Sequence, residues 1–227
     1  MTLRSAAMAL SLAASPALSL AQGRAIDEGT YVLTRGGAVI GTESFQVQRV
    51  PGQALIRITA MRTVGDQRTT AWLTADSLGT PEAFSLTVKQ GSVTELSLKA
   101  MAAPGRLSST WQDRRGNEAM KEFVVAPAGT VILDDELANP YYFLALHRRG
   151  GGVKVISPRA GRDFPATLVA GGLEPIDVGG RKVTATRYTL TGAGGGSPRD
   201  FWVDAAGRVL RVVLPGGVTA TREELPR

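Results

Sequence analysis

Period-two alternation, cut about every ten residues by a glycine turn, constrains this chain more than any other feature. In Glu82–Gln90, Phe84, Leu86 and Val88 alternate with Ser85, Thr87 and Lys89. That pattern belongs to a strand with one buried and one wet face. Gly91-Ser92 then reads as a tight turn, and Thr94–Lys99 alternates again through Leu96 and Leu98. Tyr31–Thr34 and Ala38–Arg49 flank Arg35-Gly36-Gly37 in the same way. Pro51-Gly52 leads into Ala54–Ala60, and Gly65-Asp66 into Arg68–Ala75. Strands joined by such short turns are antiparallel, because a parallel return needs a long crossover. A meander of long, twisted strands curls rather than lying flat. The predicted fold is therefore mainly β: a long antiparallel meander curled into a half-barrel or open barrel, with one short helix packed against the concave face.

The three tryptophans share a context. Trp72, Trp111 and Trp202 each precede an Asp-x-x-Gly: Asp76 to Gly79, Asp113 to Gly116 and Asp204 to Gly207. As a ligand set the three carboxylates would have to converge, yet they fall in three separate turns. Asp opening a turn and Gly at its left-handed position is turn chemistry, of the kind that makes a type I turn with a bulge. The repeated motif marks hairpins, not a reaction.

The rhythm breaks once, after about Val125, between Leu133 and Gly150. Asn139 is placed to cap a helix, and Pro140 suits its first position. Arg148 and Arg149 suit its C-terminal end, and Gly150 a left-handed cap. Tyr141–Leu146 is apolar nearly all round, which predicts burial on most sides. Beyond it the strand signals resume as Val153–Ile156, Phe164–Val169, Glu174–Val178, Lys182–Leu190, Arg199–Val203, Arg208–Leu214 and Val218–Arg222, with Gly192–Ser197 as a loop. One helical insertion near 134–149 between two strand sets predicts a single β-rich domain over 22–227.

The first 21 residues read as a signal peptide. Arg4 supplies a basic start, Ala6–Ala14 a short apolar core, and Ser19-Leu20-Ala21 a small-x-small cleavage pattern. Pro16 interrupts the run well short of the ~20 apolar residues of a membrane span, and no later stretch predicts a transmembrane segment. Export, to the periplasm or beyond, is the expectation. The chain has no cysteine, so no disulfide supports the fold and a hydrophobic core must. Zero Cys and one His also exclude thiol catalysis, cysteine zinc sites and multi-histidine metal centres. Lys and Arg number 26 against 20 Asp and Glu, an excess that suits anionic envelope lipid as well as simple solubility.

Several residues can carry chemistry. His147 is a candidate base, or a polar residue at a helix end. Asp134-Asp135-Glu136 is a candidate acidic site, or a lead into the helix dipole; it lacks the alternation of a calcium loop. Gly192–Ser197 lacks the Lys-Ser/Thr ending of a phosphate loop. Arg148, Arg149, Lys154, Arg159 and Arg162 form the densest basic stretch, suited to an anionic headgroup or to a solvated face. Nucleic acid is a poor partner, with few aromatics nearby to stack bases. Tyr141, Tyr142, Phe143, Leu144 and Leu146 are either plain core or the lining of an apolar cavity. No cofactor or metal is expected.

A leader, a long meander, one plugging helix and closing hairpins of the "WVDAAGRVLRV" kind are similar to bacterial envelope proteins of the lipoprotein-carrier superfamily, the Lol carriers and receptors, and to uncharacterised exported proteins. "GTYVLTRGGAVIGTESFQVQR" resembles the opening of such exported families. The resemblance implies a curved open sheet, capped by helix, that holds acyl chains or another apolar ligand. The leading expectation is a non-catalytic periplasmic binding or envelope-maintenance protein. Its apolar or lipid-like ligand would meet Tyr141, Tyr142, Phe143, Leu144 and Leu146, with Arg148 and Arg149 at an anionic headgroup. Two readings stay open beside it: a hydrolase using Asp134, Asp135 or His147, and a partner whose exposed edge strand pairs with another envelope protein.

Overall fold

The computed structural model describes residues 25–126, 129–192 and 197–226. The predicted signal peptide 1–21, with its cleavage point near Ala21, and most of the Gly192–Ser197 loop lie outside them.

The first half is the expected meander: β1 Ala25–Arg35, β2 Ala38–Arg49, β3 Leu55–Val64, β4 Gln67–Asp76, β5 Pro81–Gln90, β6 Val93–Ala103, β7 Arg106–Asp113 and β8 Glu118–Val124. After β9 Thr130–Ile132 comes the irregular segment that carries α1, Tyr141–Ala145. The second half is β10 Gly151–Ser157, β11 Arg162–Val178, β12 Arg181–Gly192, β13 Arg199–Val203, β14 Val209–Leu214 and β15 Val218–Arg222.

Among the described residues fifteen strands form one sheet, in the order β8 to β1 followed by β15 to β9. The first and last strands therefore pair at its centre, with Tyr31 opposite Arg222 and Leu33 opposite Ala220. The middle strands β8 and β9 are its two edges, and the sheet does not close. Every strand pair is antiparallel except β9 with β10. Their parallel pairing requires a crossover, and here the crossover runs through the inside of the sheet. At the open seam the Lys121 Nζ of β8 donates to the Gly161 carbonyl at 2.7 Å, so a side chain bridges where no ladder does.

Inward positions follow the alternation. Leu33, Val47, Ile58, Leu73, Leu86, Leu98 and Leu107 are buried on the concave face, and Leu133, Leu137, Tyr141, Phe143 and Leu144 fill the space against them. We call Leu133–His147 the plug.

Two local readings are corrected. Phe164–Val169 and Glu174–Val178 belong to one strand, β11, of 17 residues. Gly171-Gly172 is a bulge between Ala170 and Leu173, not an end: pairing with β12 resumes beyond it, and Ile176 and Val178 join a second apolar cluster with Ala185 and Leu210. Asn139 does not cap α1. Pro140 holds the cap position without a side-chain bond, because the Asn139 amide is already engaged by a buried carboxylate, Glu43. Gly150 has a left-handed φ of +71°, but α1 ends at Ala145 with Leu146 as its C-cap and no basic residue in its last turn, so the expected cap by Gly150 and the expected helix end at Arg148 and Arg149 are corrected as well.

Candidate functional site

The three Asp-x-x-Gly turns are built alike. Asp76 Oδ1 accepts the N–H of Leu78 and of Thr80 at 2.8 Å each. Asp113 accepts those of Arg115 and Asn117, and Asp204 that of Arg208. Gly79, Gly116 and Gly207 have φ of +82°, +81° and +90°. These carboxylates are spent on their own turns.

Five charged residues of the wall hold the plug by its irregular first half. Arg159 on the β10–β11 turn pairs with Asp134 at 2.9 Å and with Glu136 at 2.8 Å. Arg62 on β3 also meets Glu136, at 3.0 Å. Asp135 bridges Arg199 of β13 at 2.6 Å and Arg162 of β11 at 2.9 Å. Glu43 on β2, wholly buried, accepts the N–H groups of Ala138 and Asn139 and the Asn139 amide at 2.8–3.1 Å. Burial pushes the pKa of Asp134 and of Glu43 up; Arg159 opposes this at Asp134, as do the N–H donors at Glu43. The acidic triplet is thus a set of arginine partners that fixes the plug. Among the described residues no three acidic or histidine side chains gather as metal ligands.

The far end of the plug meets the opposite mouth of the sheet. His147 is half-buried beside the Asp76–Gly79 turn, and burial lowers its imidazole pKa. Asp134 and Asp135 are paired with arginines at one end of the plug and His147 lies at the other, so the three do not converge. Tyr141, Phe143 and Leu144 are fully buried, Tyr142 and Leu146 half-buried, and Arg148 and Arg149 exposed. Tyr141 packs edge-on to Phe201 at 5.5 Å. Arg148 Nη2 donates to the Ala206 carbonyl at 2.9 Å and lies over Gly207, where a Cβ would stand 1.7 Å from it. Of the basic stretch, Lys154 pairs with Asp163 at 2.8 Å, and Arg159 and Arg162 hold the plug.

One of the clefts lies at the other mouth. A cleft of about 550 Å³ opens where β11 begins, β12 and β14 end, and β13 begins. Phe164, Leu190, Pro198, Leu214 and Pro215 give it apolar walls, and Arg162 and Arg199 line one side. Gly192 lets the Phe164 ring lie against the strand backbone, since a Cβ there would stand 3.0 Å from two ring carbons. None of the residues from Tyr141 to Arg149 lines the cleft. Its residues come from four separate strand ends, so no local pattern in the sequence announces it.

No protein-family model matches the chain, and no curated protein matches it in sequence. Three solved structures are among those the chain is similar to, each at 14% identity. One is a β-barrel-like protein of a domain of unknown function, DUF1849, from Brucella abortus, with a TM-score of 0.53 over 88% of this chain and 97% of that one. A DUF1089 family protein from Pseudomonas aeruginosa has a TM-score of 0.39, over 94% and 98% of the two chains. The hypothetical lipoprotein YmcC from Escherichia coli has 0.32, over 86% of each. The fold and the likeness to the Brucella abortus structure together define the class: a β-barrel-like chain with an open sheet. Among its described residues, no helix is long and apolar enough to cross a membrane.

Proposed function

We propose that this chain is an exported, non-catalytic binding protein that holds an apolar or lipid-like ligand at the mouth of its curved sheet. The observation that carries the reading is the cleft of about 550 Å³ walled by Phe164, Leu190, Leu214, Pro198 and Pro215. Small-molecule sites are concave and mostly apolar, with a few placed polar groups, and often sit in barrel mouths. The kinship with lipoprotein carriers belongs to the same proposal, with one shift. The concave face that would hold an acyl chain is filled by Tyr141, Phe143 and Leu144, so these residues form the packed floor of the barrel and the ligand sits beyond them. Arg148 and Arg149, exposed at the opposite mouth, would meet an anionic lipid surface.

The test is uptake of a fluorescent fatty-acid probe by the purified mature protein, with native mass spectrometry for ligand carried through purification. Saturable uptake that Phe164→Ala weakens supports the reading. Protein that is empty and takes up no probe overturns it. A second reading, assembly through an edge strand, rests on β8: among the described residues its outer edge has no partner strand, and Glu118–Glu122 is exposed throughout. Cross-linking from β8 to an envelope protein would favour it.

A further inference from the structure

The cleft has a polar side whose charge is unbalanced. Arg199 and Arg162 both line it, and both are held by the one carboxylate of Asp135, at 2.6 and 2.9 Å. One carboxylate facing two guanidiniums leaves a positive excess. The other acid in the lining, Asp163, is matched by Lys154 at 2.8 Å and does not offset it. The Arg199 side chain is only 11% exposed, so its charge is felt through little water. Each guanidinium has five N–H donors, and Asp135 takes one from each.

Asp135 does not belong to the wall. It is part of the plug, beside Asp134 and Glu136, which have arginine partners of their own. The pair of arginines therefore already holds a carboxylate, and that carboxylate comes from a segment distinct from the strands that form the cleft.

We propose that the ligand of the cleft is a single-chain amphiphile with an anionic head, seated on Arg199 and Arg162, and that Asp135 is the built-in competitor for that seat. This rests on the cleft being a binding site at all. The apolar walls take the chain, and the arginine pair takes the carboxylate or phosphate in the bidentate manner guanidinium favours. A volume of about 550 Å³ suits one chain of small-molecule size.

The experiment is calorimetric titration of the mature protein with decanoate and with 1-decanol, which share a chain length and differ in charge. Wild type is expected to bind decanoate about tenfold more tightly than decanol, the worth of one hydrogen bond to a charged group. Asp135→Asn removes the competitor and is expected to raise decanoate affinity by about another tenfold with decanol unchanged. Arg162→Gln, at a side chain more than half exposed, is expected to weaken decanoate and spare decanol. Equal binding of the two probes, or no gain in Asp135→Asn, overturns the anionic seat and leaves the apolar cleft standing. Binding of neither probe overturns both.

Discussion

The Glu43 carboxylate accepts the backbone N–H of Asn139 at 2.8 Å, across 96 residues of chain. One partner is on the wall of the sheet, the other on the plug inside it. The same carboxylate takes the Ala138 N–H and the Asn139 amide, so it satisfies donors of an irregular buried segment that no strand ladder reaches. An irregular backbone can be buried only when its polar groups find such partners.

Glu43→Ala strands those donors and leaves Arg62, its opposite on β3, facing the gap. The expected loss is about 3–5 kcal/mol, the usual cost of removing one member of a buried charged network. Glu43→Gln keeps an acceptor oxygen and is expected to lose less, about 1–3 kcal/mol. Urea unfolding reads both as a lower midpoint at an unchanged slope.

Arg222 closes the centre of the sheet. Its Nε donates to the Val209 carbonyl at 2.8 Å and its Nη1 to that of Glu28 at 3.1 Å, while Nη2 pairs with Asp27. The guanidinium stacks 4.8 Å from the Phe45 ring. Lysine keeps the charge but has neither the planar fork nor the stacking face. Arg222→Lys is expected to cost about 2–4 kcal/mol, close to the cost of breaking a buried pair. Thermal unfolding checks it, with Arg211→Lys on β14, a partly exposed arginine of the next strand, as the comparison.

His147 gives the stability a defined acid sensitivity. Burial holds its folded pKa below the ordinary 6.5. Between those two values the unfolded chain binds more protons than the folded one, so stability rises with pH. The contribution is present above about 6.5 and is lost as pH falls through the depressed value. Asp76 favours the charged form and narrows the window. His147→Gln is expected to flatten the stability–pH profile below neutrality, read as the difference between variant and wild type in urea titrations at several pH values.

The strand rhythm and the turns were legible because they are local. Asp76 and Gly79 lie three residues apart, and their geometry needs nothing from the rest of the chain. The wall charges were legible in a weaker sense. Glu43 continues the inward stripe of Phe45 and Val47, Arg62 that of Ile58 and Ala60, and Arg222 that of Val218 and Ala220. A charge on an apolar stripe signals a buried partner, yet nothing local says that the partner of Glu43 is Asn139. For the same reason Asn139 looked like a helix cap: capping is a local rule, and a buried carboxylate displaced it. Phe164–Val169 and Glu174–Val178 read as two strands because the residues between them include Gly171-Gly172, and a bulge and a turn share their glycines. The cleft left no signal, since Phe164, Leu190, Arg199 and Leu214 meet only once the sheet has curled.

Gly192 ties the shape of that cleft to a single missing methyl group. The Phe164 ring rests on the Gly192 backbone, and an added Cβ would stand 3.0 Å from two of its carbons. Phe164 is half-buried at the sheet rim, so its ring has room to move rather than forcing the strands apart. Gly192→Val adds two further carbons and is expected to push the ring into the cleft. The stability cost is then small, about 1 kcal/mol, at the low end of overpacking costs. Probe uptake is expected to fall at least severalfold, as it would if the cleft were partly filled. Unfolding midpoint and probe titration on the same sample separate the two effects. A variant that binds as wild type does would place the ligand away from Phe164.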